Sequence, residues 1–125
     1  MRKLMFVSAL LALGGCSTVG AVLSGNVNNP ITPKVAYQIQ ASIDEVAIAA
    51  GTYARQPRCP TAAPLCSDQN VVAQLRTYVN AGEAAAHKLN AFVLANPTLD
   101  AHAIYQAALD AVSVAQSFAI SNGVK

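Results

Sequence analysis

Between Asp68 and Asn96 the apolar positions Val72, Leu75, Val79, Gly82, Ala86, Leu89 and Val93 recur at alternating spacings of three and four. Arg76, Asn80, Glu83, His87 and Asn90 form an opposite stripe with the same period. One dry and one wet face at this spacing predict an amphipathic helix. Ser67 and Asp68 are both N-cap types, and Asn96-Pro97 marks the stop. The middle of the dry seam is small, with Gly82, Ala85 and Ala86. A helical glycine costs up to about 1 kcal/mol relative to alanine, so close approach of a neighbouring backbone is the expected reason for Gly82.

Two further helices flank this one. The first opens at Thr32-Pro33, a cap residue followed by a proline whose missing N–H costs nothing at that position. Its apolar face reads Val35, Ile39, Ile43, Val46, Ala50 and Tyr53, and Pro57 ends it. The last is expected to begin with Asp100 as N-cap, with Leu99 and Ile104 placed as a hydrophobic staple. Its core stripe reads Ile104, Ala108, Ala111, Ala115 and Phe118. A second apolar row, Tyr105, Leu109, Val112 and Ala119, widens the face, and Asn122-Gly123 is the stop. Strand signals are nearly absent. The fold class is therefore all-α: a small antiparallel bundle, three helices up-down-up over residues 32–125. A four-helix variant stays open if part of the segment before Thr32 folds, or if Gly51 or Gly82 breaks a helix.

The segment before the bundle carries a different signal. Arg2 and Lys3 precede an apolar run from Leu4 to Leu13, broken only by Ser8, then Gly14, Gly15 and Cys16. This is the layout of a secretory signal peptide, too short for the roughly 20 residues of a spanning helix. Leu13-Gly14-Gly15-Cys16 resembles the lipobox of bacterial lipoproteins, with a branched apolar residue three before the cysteine and a small one directly before it. The resemblance covers only this segment. It implies removal of residues 1–15 and a diacylglycerol on the Cys16 thiol, with a further acyl chain such as palmitate on the new amino group. Two chains suffice for stable anchoring in a membrane. Residues 16–31 then read as the lipidated cysteine and a Ser-, Gly- and Asn-rich tether. Ser17, where the enterobacterial rule for the inner membrane has Asp, points to the outer membrane, facing the periplasm.

Subtracting the signal changes the charge balance. The formal +2 comes from Arg2 and Lys3, and the six remaining basic residues equal the six acidic ones. Only 11% of the chain is charged, against about 25% for an average domain. Eight basic residues cannot make a dense stripe, so no nucleic-acid partner is expected. Alanine supplies 23 of the residues after the signal, which predicts a slim bundle.

Three cysteines are an odd number for an exported chain. Lipidation of Cys16 leaves Cys59 and Cys66 in the loop between the first two helices, and an oxidising periplasm favours a disulfide there. A redox motif is the rival reading, but six intervening residues are not those of C-x-x-C. A zinc site lacks a third ligand nearby, so neither metal nor cofactor is expected.

Candidate catalytic chemistry is sparse. His87 follows Glu83 by four, the spacing of a surface ion pair. His102 falls in the first turn of the last helix, where the dipole disfavours its protonation. Asp44 and Glu45 are adjacent and diverge by about 100° on a helix, which suits a solvated face. No phosphate-loop, dinucleotide, nucleophile-elbow or zinc-protease motif occurs. The expectation is a non-enzymatic envelope module that holds, positions or blocks a protein partner, comparable in size and architecture with the pilotin lipoproteins that escort secretins. The wide face of Tyr105, Leu109 and Val112 is the first candidate for the partner patch. The alternative is a carrier of a lipid or other small apolar ligand held between the helices.

Overall fold

Thr32 begins the ordered pattern as the sequence predicts: its backbone is extended and its hydroxyl accepts from the Val35 N–H at 3.4 Å. The computed structural model describes residues 31–60 and 65–125. The signal peptide, Cys16 and the tether as far as residue 30 lie outside the described residues. Helix α1 spans Pro33–Ala54, α2 spans Gln69–Ala95 and α3 spans His102–Ser121. No strand occurs among the described residues, and α1 and α2 run unbroken through Gly51 and Gly82. Each helix packs on both others, and the contacts Tyr53–Asp68, Ile43–Gly82 and Tyr78–Phe118 run successive helices antiparallel. No helix among the described residues is long and apolar enough to cross a membrane.

The caps explain the boundaries. The Asp68 carboxylate accepts from the N–H groups of Asn70 and Val71 at 2.7 and 3.4 Å, satisfying two orphan donors of α2. At the other end of the chain, Gly123 has φ +68°. Its N–H reaches the Ile120 carbonyl at 3.1 Å, and the Val124 N–H reaches Ala119 at 3.0 Å. That pair of bonds is a Schellman motif, and buried Val124 supplies its apolar contact against Ala119.

The start of α3 differs from the expectation. Ala101, not Asp100, is the N-cap, and it makes no side-chain cap bond. Asp100 instead accepts from the His102 N–H at 2.9 Å from outside the helix. Ala101 is 2% exposed, so the core holds the entry one residue later than the local cap signal does. Leu99 is more than half exposed and does not serve as a staple.

The core follows the α2 pattern closely. Leu75, Val79, Gly82, Ala86, Leu89 and Val93 are all buried, facing Ala36, Ile39, Ile43 and Val46 of α1. A Cβ at Gly82 would stand 2.6 Å from Ile43 Cδ1 and 2.9 Å from Cγ1. Ile43 is itself fully buried and has little room to yield. Gly82 is therefore the point where α1 and α2 close on each other.

The buried arc of α3 is rotated from the predicted stripe. Ala108, Leu109, Val112, Ala115 and Ala119 are buried, while Ile104, Ala111 and Phe118 lie at its edge. In a triangular bundle each helix faces two neighbours, so its buried arc centres between the rows aimed at each.

Candidate functional site

The first candidate patch is not a surface. Leu109 and Val112 are 7% and 3% exposed and belong to the core. Tyr105 is half-buried against it, and burial pushes its hydroxyl pKa up. The row Tyr105, Leu109 and Val112 is consumed by packing within the bundle and is not left over for a partner.

The open apolar surface lies one edge further round. Tyr78 of α2 and Phe118 of α3 meet at a ring-centroid distance of 5.1 Å, tilted by 57°. Tilted pairs at this distance set the positive edge of one ring toward the negative face of the other. The two rings border a shallow groove of about 480 Å³, whose other residues are Val114, Ser113, Ser117 and Ser121. The serines recur every four residues, so they form one row along α3. The Ser121 hydroxyl donates to the Ser117 carbonyl at 2.8 Å, which turns that rim inward on its own helix. The result is an aromatic edge beside a hydroxyl row, without a charged residue. It suits a neutral or weakly polar contact more than an ionic one. By its spacing in the sequence Phe118 belongs to the core stripe, not to an open edge. The readable signal was the row Ser113, Ser117, Ser121.

A second groove, of about 170 Å³, follows the α1–α2 seam beyond the Gly82 contact. Ala47, Ala50, Gly51 and Ala54 face Val72, Leu75 and Val79 there, with Arg76 and Asn80 at its rim. Small side chains leave the seam incompletely filled there.

The loop between α1 and α2 is fixed at several points. Cys59 and Cys66 form a disulfide, with Cα atoms 5.2 Å apart. The Cys59 N–H donates to the Ser67 carbonyl at 3.1 Å, and the Ser67 N–H to the Pro57 carbonyl at 2.8 Å. The fully buried Ser67 hydroxyl donates to the Gln56 carbonyl at 3.1 Å. The Tyr53 hydroxyl accepts from the Asp68 N–H at 2.9 Å, tying the end of α1 to the start of α2. This arrangement is structural: it holds two helix ends together.

The remaining chemistry-bearing residues do not converge. Among the described residues no three His, Cys, Asp or Glu side chains are grouped to hold a metal. Exposed Asp100 lies 2.7 Å from His102 Nδ1. Hydrogen bonds from the His102 backbone and ring hold the Asp100 carboxyl below the usual carboxylate range. Asp44 accepts from Gln40 Nε2 at 3.0 Å on the surface of α1. His87 is exposed and makes no ion pair with Glu83 among the described residues. Comparison with protein-family models, curated proteins and solved structures finds no match.

Proposed function

We propose that the protein is a lipid-anchored module of the bacterial cell envelope, acting by contact with a protein partner and not by catalysis. The lipobox-like Leu13-Gly14-Gly15-Cys16 supports the anchor and the exported location. Cys59 bonded to Cys66 accords with an oxidising compartment such as the periplasm. The observation that carries the contact reading is the groove bordered by Tyr78 and Phe118, an open apolar seat on a bundle whose centre is closed by Gly82 against Ile43. The mechanism is confinement. Acyl chains on Cys16 would hold the bundle at the outer membrane and raise the local concentration of the groove, so a weak contact suffices.

In-cell photo-crosslinking tests this reading. A crosslinker at Val114, beside the groove, is expected to capture an envelope protein that one at Ile48, on the outside of α1, does not. Cys16→Ala is expected to abolish the capture. Equal capture from both positions removes the groove from the mechanism, and capture unchanged by Cys16→Ala defeats tethering.

The carrier reading draws on the same groove, whose volume falls within the range of small-ligand sites. The closed centre argues against a ligand held between the helices. Native mass spectrometry separates the two, since a carrier brings co-purifying lipid with it.

A further inference from the structure

Charge is unevenly placed on the outside of the bundle. Helix α3 carries one Asp, Glu, Lys or Arg, which is Asp110, and α2 carries three, Arg76, Glu83 and Lys88. Arg76 borders the α1–α2 groove, and Glu83, two turns further on, continues its row. Lys88 falls elsewhere. Tyr78, Ala81, Ala85 and Lys88 follow at spacings of three, four and three, so Lys88 shares the side of α2 that holds Tyr78. Asp110, Val114, Ser117 and Ser121 follow at four, three and four, so Asp110 continues the α3 row of the aromatic groove. Between the helix ends, the α2–α3 side therefore bears one cation and one anion. Both are exposed, and neither makes an ion pair among the described residues. Asp110 accepts from Gln106 of its own helix at 3.1 Å.

The aromatic contact fixes their height. Tyr78 meets Phe118. Lys88 lies ten residues, about 15 Å, from Tyr78 toward the end of α2, and Asp110 eight residues, about 12 Å, from Phe118 toward the start of α3. The two helices are antiparallel, so both displacements run the same way and the charges stand at nearly one level. A two-fold axis lying in this face, along the bundle, keeps every level and exchanges α2 with α3. It lays Lys88 of each copy over Asp110 of the other, and the uncharged groove over its own image. An axis across the bundle at the level of the charges sets lysine against lysine and aspartate against aspartate. The face is about 30 Å long, the length of α3, and about 20 Å wide, two helix diameters. Covering it buries about 600 Å² per copy, the lower end for a specific pair.

Resting on the groove as the contact surface, we propose that its partner is a second copy of this chain, in a two-fold dimer with α2 of each copy along α3 of the other. The apolar seats supply the contact, and two Lys88–Asp110 pairs at the rim set orientation and register. Both copies then present the start of α1 on the same side, as two chains anchored in one membrane require.

Charge reversal tests the pairing on the full chain in detergent micelles, with sedimentation equilibrium reading dimer dissociation. Lys88→Asp sets like charges against each other at both pairs, and so does Asp110→Lys. Each alone is expected to weaken dimerisation about tenfold, as for two exposed pairs turned repulsive. The double variant, and an equimolar mixture of the two single variants, restore attraction at both pairs and are expected to recover wild-type dimerisation. A dimer indifferent to the reversals, or one that neither combination restores, overturns the proposal. A monomer at all concentrations, with a crosslinker at Val114 still capturing a different envelope protein in cells, overturns the second copy and leaves the groove as a contact surface. A monomer with equal capture from Val114 and Ile48 overturns both.

Discussion

Where α1 passes to α2, the chain is held by a disulfide, two backbone bonds across the loop, a buried serine hydroxyl and the Tyr53–Asp68 bond. Where α2 passes to α3, from Asn96 to Ala101, it is held by helix-end bonds and the buried Ala101, and its one leucine, Leu99, is exposed. The difference follows from length. A long connection leaves more backbone freedom to be lost on folding, so added links constrain it usefully. A short one is placed by the two helices it joins. Apolar residues there are spare to stability and available for contact with something else.

Cutting the stronger end tests this most severely. Replacing Cys59 and Cys66 together by serine is expected to cost about 2 kcal/mol in chemical denaturation, by the loop-entropy model. Replacing Leu94 and Leu99 together by serine is expected to change stability by less than about 0.5 kcal/mol, as for ordinary surface sites. Equal losses would erase the distinction between the ends.

The C-terminus of α3 belongs to the stapled end and has its own lock. Gly123→Ala forces a side chain into the left-handed region and is expected to cost about 1 kcal/mol. No loss would mean that the Schellman motif is unimportant to this end.

The α1–α2 seam repeats the contrast between closed and open on a smaller scale. Gly82→Ala gains helix propensity but drives a methyl into Ile43, for a net loss of about 1 kcal/mol. In an Ile43→Ala background the same change is expected to become stabilising, because the obstructing atoms are gone. Gly51→Ala meets only Arg55 Nη1 at 3.7 Å and is expected to stabilise by about 0.5 kcal/mol. Thermal melts of the four variants, Ile43→Ala alone included, check the signs.

The smallest effect lies at the end where α3 begins. Asp100 is held in its charged form by His102, so its folded-state pKa is depressed. Its contribution is present above the ordinary carboxylate pKa, about 4, and is lost as pH falls through the folded value. Asp100→Asn should lack this slight acid-side loss. Superimposable acid unfolding curves would show that the hydrogen bonds to Asp100 do not differ in strength between its two protonation states.

The α2 seam from Leu75 to Val93 was legible because its apolar and polar positions alternate cleanly, and Gly82 announced a close contact by its cost in a helix; Val72, at its start, is only half-buried. The disulfide followed from parity and the close spacing of Cys59 and Cys66 within one loop. The groove was not legible, since Phe118 reads as a core position and Tyr78 falls outside the α2 seam. Their meeting depends on how far α3 is rotated. Two apolar rows on α3 fit several rotations, so Leu109 and Val112 read equally well as surface or as core.

Sequence by itself determined three helices, most of their caps, the Cys59–Cys66 pairing and the seam residues of α2. Each depends on spacing and side-chain type along one element. Tertiary structure alone decided the entry of α3 at Ala101, the burial of Leu109 and Val112, and the groove beside Tyr78 and Phe118. A helix facing two neighbours buries whichever arc the crossing of all three selects, and no single helix encodes that crossing.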